Sequence, residues 1–321
     1  MQSFELLSQK FALHFDKRHF PAEPVSLYEP NEYFLKLSGK RIRPVLCLMG
    51  NELFDEINPD AFHVAIAIEL FHNFTLIHDD IMDKAPLRRG METVHTKYGE
   101  STALLAGDVM LVVAYDYLNK INPFHLPQVL HLFNKTAREV CEGQQLDMDF
   151  EKKETIRLDE YLRMIELKTS VALAASLKVG SILGGAGERN QNLLYEFGKK
   201  LGVAFQVQDD YLDAFGDPEK FGKQVGGDIL SNKKTFLLIH ALETVPDNQR
   251  KELVSLMSNN VHDKIEKVLN IFRDCKVDEW ALQLKNKYLD EALAHLEDIA
   301  VLSKRKEPLK ELAHFLIKRD H

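Results

Sequence analysis

Apolar positions along this chain recur every three or four residues almost throughout, the period of an amphipathic helix. Strand-like alternation is scarce, and hairpin dipeptides such as Asn-Gly are absent. The pattern predicts an all-α chain. In two places the polar face of the helix disappears. The first is NPDAFHVAIAIELFHNFTLIHDDIMD, where Asn58 reads as an N-cap, Pro59 as the first helical residue and Pro86 as a stop signal. Between them apolar side chains run nearly all the way round, the mark of a buried helix. Yet the segment carries Glu69, His72, His78 and three aspartates, and polar groups in such a helix need partners or a wet cavity. The second is LLYEFGKKLGVAFQVQDDYLDAF, residues 193–215, again apolar first and acidic at its C-terminal end.

The most apolar stretch, VALAASLKVGSILGGAG from Val171, is broken by Lys178 and by glycines, too short to span a membrane, and reads as a buried helix. Loops are expected around residues 122–123, 184–187 and 216–227. From about Asp247 the chain is charged and amphipathic, with little motif content. No Pro/Ser-rich linker divides it, so the expectation is one all-helical domain over residues 1–321.

Composition narrows the function. At 321 residues and 45% hydrophobic, the chain can bury a sizeable core. A net charge of −8 argues against a general binder of nucleic acid or of anionic membranes, so any anion site must be a local cluster of Lys and Arg. The cysteines, Cys47, Cys141 and Cys275, are odd in number and form no CxxC pair. They suggest neither a disulfide framework nor a zinc site, and point to a reducing cytoplasm. The N-terminus, MQSFELLSQKFALHF, lacks the basic start and apolar run of a signal peptide.

The chemistry gathers on the repeated DDxxD. Positions i and i+4 share a helix face, so Asp79 points with Asp83, and Asp209 with Asp213. Carboxylates at a helix C-terminus oppose the helix dipole, which suggests a compensating cation. Their hard oxygens suit Mg²⁺ or Mn²⁺, and Mg²⁺ commonly binds through one or two carboxylates plus substrate phosphates. Two such clusters imply a metal-bridged polyphosphate. A solvated acidic helix end is the plainer account of a single copy, but not of two copies that each close an apolar helix. Cations lie nearby in sequence: KRIRP from Lys40, Arg88 and Arg89, Lys168 in MIELKTS, Lys223, and Lys233 with Lys234. Arg offers phosphate a two-pronged fork and Lys a point charge.

With these residues in view, the chain resembles the trans-isoprenyl diphosphate synthases, the head-to-tail prenyltransferases. The matching motifs are GKRIRP, FHNFTLIHDDIMD followed by LRRG, LAGD, GQQLD, LKTS, and FQVQDDYLD followed by GKQVGGD and NKK. They run in the family's order from Gly39 to Lys234. The resemblance implies a bundle of helices around a central apolar cavity, three Mg²⁺ ions and a homodimer. It implies that Asp79 and Asp83 bind two ions and Asp209 a third, supported by Asp80, Asp210 and Asp213. By the same carry-over, Arg88, Lys168, Thr169, Gln206, Lys223 and Lys233 hold the allylic diphosphate. Lys40, Arg43, His72 and Arg89 hold isopentenyl diphosphate, and Gln144 borders the first metal site. The implied reaction ionises the allylic diphosphate, adds the resulting carbocation to the double bond of isopentenyl diphosphate, and loses a proton to the departed diphosphate. No stable membrane insertion and no nucleic-acid partner are expected.

The resemblance also implies that the product grows along the first acidic helix. At about 1.5 Å per residue, Phe74 lies roughly 7 Å and Phe71 roughly 12 Å below Asp79. Thr75, one turn below Asp79, is small. The two rings read as stoppers that favour a C15 or C20 product, or else as ordinary core residues. Three rival readings are weaker. A class I terpene cyclase would lack GKRIRP and carry a different second motif. A non-catalytic regulatory subunit would show degraded aspartate motifs. A helical scaffold would give no reason for buried Asp and His.

Overall fold

The computed structural model describes residues 1–37, 39–217, 225–259 and 261–318, and they are all-α but for one short hairpin. In chain order the elements are α1 (Phe4–Phe15), α2 (Val25–Leu35), α3 (Ile42–Glu52), α4 (Pro59–Met82), β1 (Leu87–Arg88), β2 (Met91–Glu92), α5 (Val94–Tyr98), α6 (Glu100–Leu118), α7 (Leu126–Lys152) and α8 (Leu158–Ile165). A π-helical turn, Glu166–Ser170, leads into α9 (Val171–Leu183) and α10 (Glu188–Phe215). There follow α11 (Gly227–Leu230), α12 (Phe236–Thr244), α13 (Asp247–Ser258), α14 (Lys264–Asp274), α15 (Val277–Glu297) and α16 (Ser303–Ile317). The loops predicted around 122–123 and 184–187 fall between these elements, the one predicted at 216–227 lies mostly outside the described residues, and α10 begins five residues before the predicted start, with Glu188 in its first turn where the helix dipole favours it.

The chain forms two compact units. One comprises Met1–Phe133 and Ser176–Gln191, the other Asn134–Ala175 and Asn192–His321. In the first, α4 is the core helix. Asn58 caps it by accepting the Asp60 amide at 3.0 Å, and Val64, Ala65, Ala67 and Leu70 are fully buried. It packs most extensively on α6 and α3. Both α4 and α6 are long and apolar enough to cross a membrane, with mean hydropathies of 1.2 and 1.3. The α4 span is 61% buried within the protein and the α6 span 44%.

The second unit closes around Val207, Phe236, Leu253, Val268 and Val277, all with no solvent exposure. The region beyond Asp247, silent in motifs, is structural here: α14 turns Val268, Ile271 and Phe272 into this core. Trp280 stacks on His240 at 3.7 Å and meets the Phe236 ring at 5.7 Å.

The hairpin is a departure from the predicted pattern. Leu87 pairs with Glu92 and Arg88 with Met91. Its two turn residues, Arg89 and Gly90, both take the left-handed backbone, φ 53 and 79, as the tight turn that matches strand twist requires. Arg is an uncommon occupant of that position, so no turn dipeptide announced it.

Candidate active site

The acidic end of α4 is shaped by how the helix stops. Lys84 takes a left-handed φ of 51, the Lys84 amide donates to Ile81 O at 3.2 Å, and the Ala85 amide donates to Asp80 O at 3.0 Å. This is the Schellman closure, with Lys84 in place of the usual glycine. It folds the chain back, and the hairpin then lays Arg88 over the helix end. Arg88 Nε donates to both Asp80 oxygens, at 2.8 and 2.9 Å, and its Nη2 lies 2.7 Å from Asp80 Oδ1 and 3.8 Å from Asp79 Oδ2. Asp80 is buried, and burial pushes its carboxyl up despite Arg88. Asp79 keeps a fifth of its side-chain surface and Asp83 is exposed. Asp80 thus takes the close contacts with the arginine, Asp79 lies at the edge of its reach, and Asp83 is the exposed member of the cluster.

GKRIRP opens α3, with Pro44 inside the first turn, where its missing N–H has no intrahelical partner to lose. Arg41 Nη1 meets Glu69 Oε1 at 2.5 Å, its Nη2 donates to Leu35 O at 2.9 Å, and its guanidinium stacks over Phe15. Asn73 adds a donor to Glu69 at 3.0 Å. The buried Glu69 therefore has structural partners. Arg43 is different. Its Nη1 lies 3.1 Å from His72 Nε2, and its Nε is buried without a protein partner among the described residues. Arg89 Nη1 donates to Leu37 O at 3.3 Å, and a Cβ on Gly39 would come within 2.6 Å of that nitrogen, so only glycine lets the guanidinium lie there. Lys40 is exposed on the same loop.

Burial holds the His72 pKa well below its usual value, and Arg43, Arg89, Arg88 and Arg41 press in the same direction. The ring is neutral. Because Arg43 is a donor, His72 Nε2 accepts and its proton sits on Nδ1, leaving an N–H available to an anion. Burial also lowers Arg43, to about 10. Four arginines thus act on one histidine in a chain of net charge −8, two of them, Arg41 and Arg88, already paired with Glu69 and Asp80.

The expected chain-length residues lie one and two turns below. Phe71 is buried, its ring 5.9 Å from Phe74 and 5.3 Å, edge-on, from Phe133. Phe74 is half-buried and edge-on to His78 at 4.7 Å. The Thr75 hydroxyl is taken by its own helix, donating to His72 O at 2.8 Å.

In the second unit the end of α10 is organised by three neighbours. Asp210 is buried, and each of its oxygens has a neutral donor: the Tyr161 hydroxyl at 2.5 Å and Gln206 Nε2 at 2.9 Å. Thr169 Oγ1 in turn donates to Gln206 Oε1 at 3.4 Å. Burial pushes Asp210 up to about 7, with Asp228 adding to it and the two donors opposing it. Asp213 caps α11, accepting the Asp228 amide at 2.9 Å. Asp209 is half-buried.

The cations are held by carboxylates. Lys168 Nζ lies 2.6 Å from Asp147 Oδ2, and Lys233 Nζ 3.4 Å from Asp228 Oδ1. Burial opposes the Lys233 charge, but Asp228, Asp147 and Asp210 outweigh it and push the pKa up to about 12. In GQQLD, Gly143 lies against the π turn, where a Cβ would meet the Lys168 backbone nitrogen at 2.3 Å, and Gln144 follows it on α7. Lys234, read as a phosphate ligand, instead donates to the carbonyls of Phe150, Glu151 and Lys153 around the end of α7. Lys223 lies outside the described residues. Asp147, Asp228 and Tyr161 escaped the sequence reading. The two aspartates stand inside quoted motifs and could have been found by asking which carboxylates hold the lysines, whereas Tyr161 carries no signal.

Carboxylates of this kind fit a hard divalent ion. Among the described residues no three His, Cys, Asp or Glu converge as a metal cage. An ion here would complete its shell with water or phosphate oxygens.

The polyprenyl synthetase family model matches residues 24–274. A geranylgeranyl pyrophosphate synthase from Geoglobus acetivorans is 38% identical over 302 residues, covering 93% of this chain and 92% of its own. A short chain isoprenyl diphosphate synthase from Methanocaldococcus jannaschii is 41% identical over 250 residues, 77% of this chain and 76% of its own. A crystal structure of a geranylgeranyl pyrophosphate synthase superposes with a TM-score of 0.95 at 42% identity, covering 99% of both chains. The ordered motifs, the all-α fold and these likenesses agree, and the chain belongs to the polyprenyl synthetase family.

Proposed function

We propose that this chain condenses isopentenyl diphosphate head to tail with an allylic diphosphate, in an Mg²⁺-dependent reaction that yields a short-chain C15–C20 prenyl diphosphate and diphosphate. The observation that carries this reading is the cluster on α3 and α4 where Arg43 donates from Nη1 to a neutral His72 and keeps a buried, unmatched Nε, with Arg88 and Arg89 nearby. Such a site takes the diphosphate of one substrate, while the acidic end of the same helix can hold a metal for the diphosphate of the other. The names of the relatives, geranylgeranyl and short-chain synthases, support the product class.

In this reading Lys40, Arg43, His72 and Arg89 hold isopentenyl diphosphate. Arg88, Lys168, Thr169, Gln206, Lys223 and Lys233 hold the allylic diphosphate. Asp79, Asp83 and Asp209 would hold three Mg²⁺ ions, or Mn²⁺ in their place, with Asp80, Asp210 and Asp213 supporting and Gln144 nearby. When bound, the ions supply Lewis-acid neutralisation of the leaving diphosphate. The chain's own cations stabilise the same developing charge electrostatically. Apolar side chains keep water from the allylic carbocation. The double bond of isopentenyl diphosphate attacks that cation, and the released diphosphate takes the proton. No side-chain base is needed.

The chain is proposed to work as one catalytic domain within a homodimer. Leu105 and Val112, seven residues apart on α6, are 56% and 60% exposed, an apolar stripe suited to a second copy. Three free cysteines support a reducing, cytoplasmic setting. The test of function is incubation with Mg²⁺, labelled isopentenyl diphosphate and dimethylallyl, geranyl or farnesyl diphosphate. A labelled C15–C20 product is expected, and no condensation with any starter would refute the reading.

A further inference from the structure

Tyr161 stands on α8, outside every motif of the reaction. Its side chain is buried and packs against Phe236, with ring centroids 6.2 Å apart. Only its hydroxyl does something specific. It donates to Asp210 Oδ2 at 2.5 Å, while Gln206, one turn back on α10, donates to Oδ1 at 2.9 Å. Gln206 has no rotational choice left: its amide nitrogen faces Asp210 and its oxygen accepts from Thr169 at 3.4 Å. Thr169 sits in the π turn Glu166–Ser170, beside Lys168. One hydrogen-bonded chain therefore ties α8, α10 and the π turn. Single π turns of this kind recur at functional sites, because they re-aim side chains that a regular helix would misplace.

A buried carboxylate is stable only while its oxygens are paired. Removing one donor leaves an unmatched buried acceptor, which costs more than the hydrogen bond itself. Asp210 would then rotate or shift the end of α10, and Gln206 and Thr169 would lose their shared orientation.

We propose that Tyr161 is a positioning residue: its hydroxyl holds Asp210 inward on α10 and so fixes Gln206, Thr169 and the Lys168 turn as the grip for the allylic diphosphate. The proposal rests on the assignment of those residues to that substrate. It gives Asp210 the task of aligning the cluster, leaving Asp209 as the outward carboxylate.

The test is Tyr161→Phe in the full chain, which keeps the ring and removes one oxygen. The KM for the allylic diphosphate should rise about tenfold, as should the Kd for inorganic diphosphate with Mg²⁺, measured calorimetrically without turnover. The KM for isopentenyl diphosphate should change by less than about twofold, since the Arg43–His72 site shares none of these bonds. An unchanged allylic KM overturns the proposal. So does an equal rise in both KM values, which would mark general loosening, or a variant that fails to fold, which would make the hydroxyl a folding determinant. If the wild-type protein condensed nothing, the functional reading would fail, yet the diphosphate titration would still report on Tyr161.

Discussion

At the scale of single residues, His72 shows how burial and charge set a chemical state. Its neighbours are arginines, and Arg43 donates to its ring. In the unfolded chain this histidine takes up a proton near pH 6.5, whereas in the folded protein it stays neutral well below that. The native state therefore binds fewer protons through this range. The stability contributed by neutral His72 is complete above the unfolded value and is lost as pH falls below it, at up to about 1.4 kcal/mol per pH unit. Denaturant melts of the ligand-free protein should accordingly show wild type losing more stability than His72→Gln between about pH 7.5 and 5.5. Parallel losses would mean that His72 protonates freely in the folded protein. Single residues also mark what the sequence could and could not tell. It raised the question of a buried Glu69 but not the answer, because Arg41 and Asn73 reach it only through the fold. It placed Lys234 with the phosphate ligands because a lysine beside another lysine carries no sign of which one will cap a helix.

Among elements, α4 was the most legible: its cap, its length and its buried character follow from Asn58, Pro59 and an unbroken apolar run. The hairpin after it was not, since it depends on Lys84 and Arg89 accepting left-handed backbone that their side chains disfavour. Nor was the π turn, because ELKTS has the composition of an ordinary helix, and its closeness to α7 at Gly143 is a product of the fold. Along α4 the rings of Phe71 and Phe74 are braced by Phe133 and His78, as the proposed role of stoppers for a growing chain requires. Replacing both with Ala removes two rings from the proposed path. Product analysis of Phe71→Ala/Phe74→Ala should find longer prenyl diphosphates than wild type makes, and an unaltered product length would return both residues to the core.

For the whole molecule, the fold class was readable from period alone, while its division into two compact units was not. The boundaries between them fall inside α7, α9 and α10, and a helix that passes from one unit to another leaves no mark in hydropathy. If the chain works as one domain in a homodimer, sedimentation should find twice the single-chain mass and calorimetry one cooperative transition. A single-chain mass would refute the dimer, and two resolved transitions the single domain. The repeated DDxxD is the central matter at this scale, because Asp79 belongs to one unit and Asp209 to the other. If both serve one Mg²⁺-dependent condensation, each is indispensable and their losses do not add. The most direct measurement is the condensation rate of Asp79→Ala, Asp209→Ala and the double variant with Mg²⁺, labelled isopentenyl diphosphate and the preferred allylic starter. Each single variant should fall by several orders of magnitude, with the double little worse; near-normal turnover in either single variant would contradict the account.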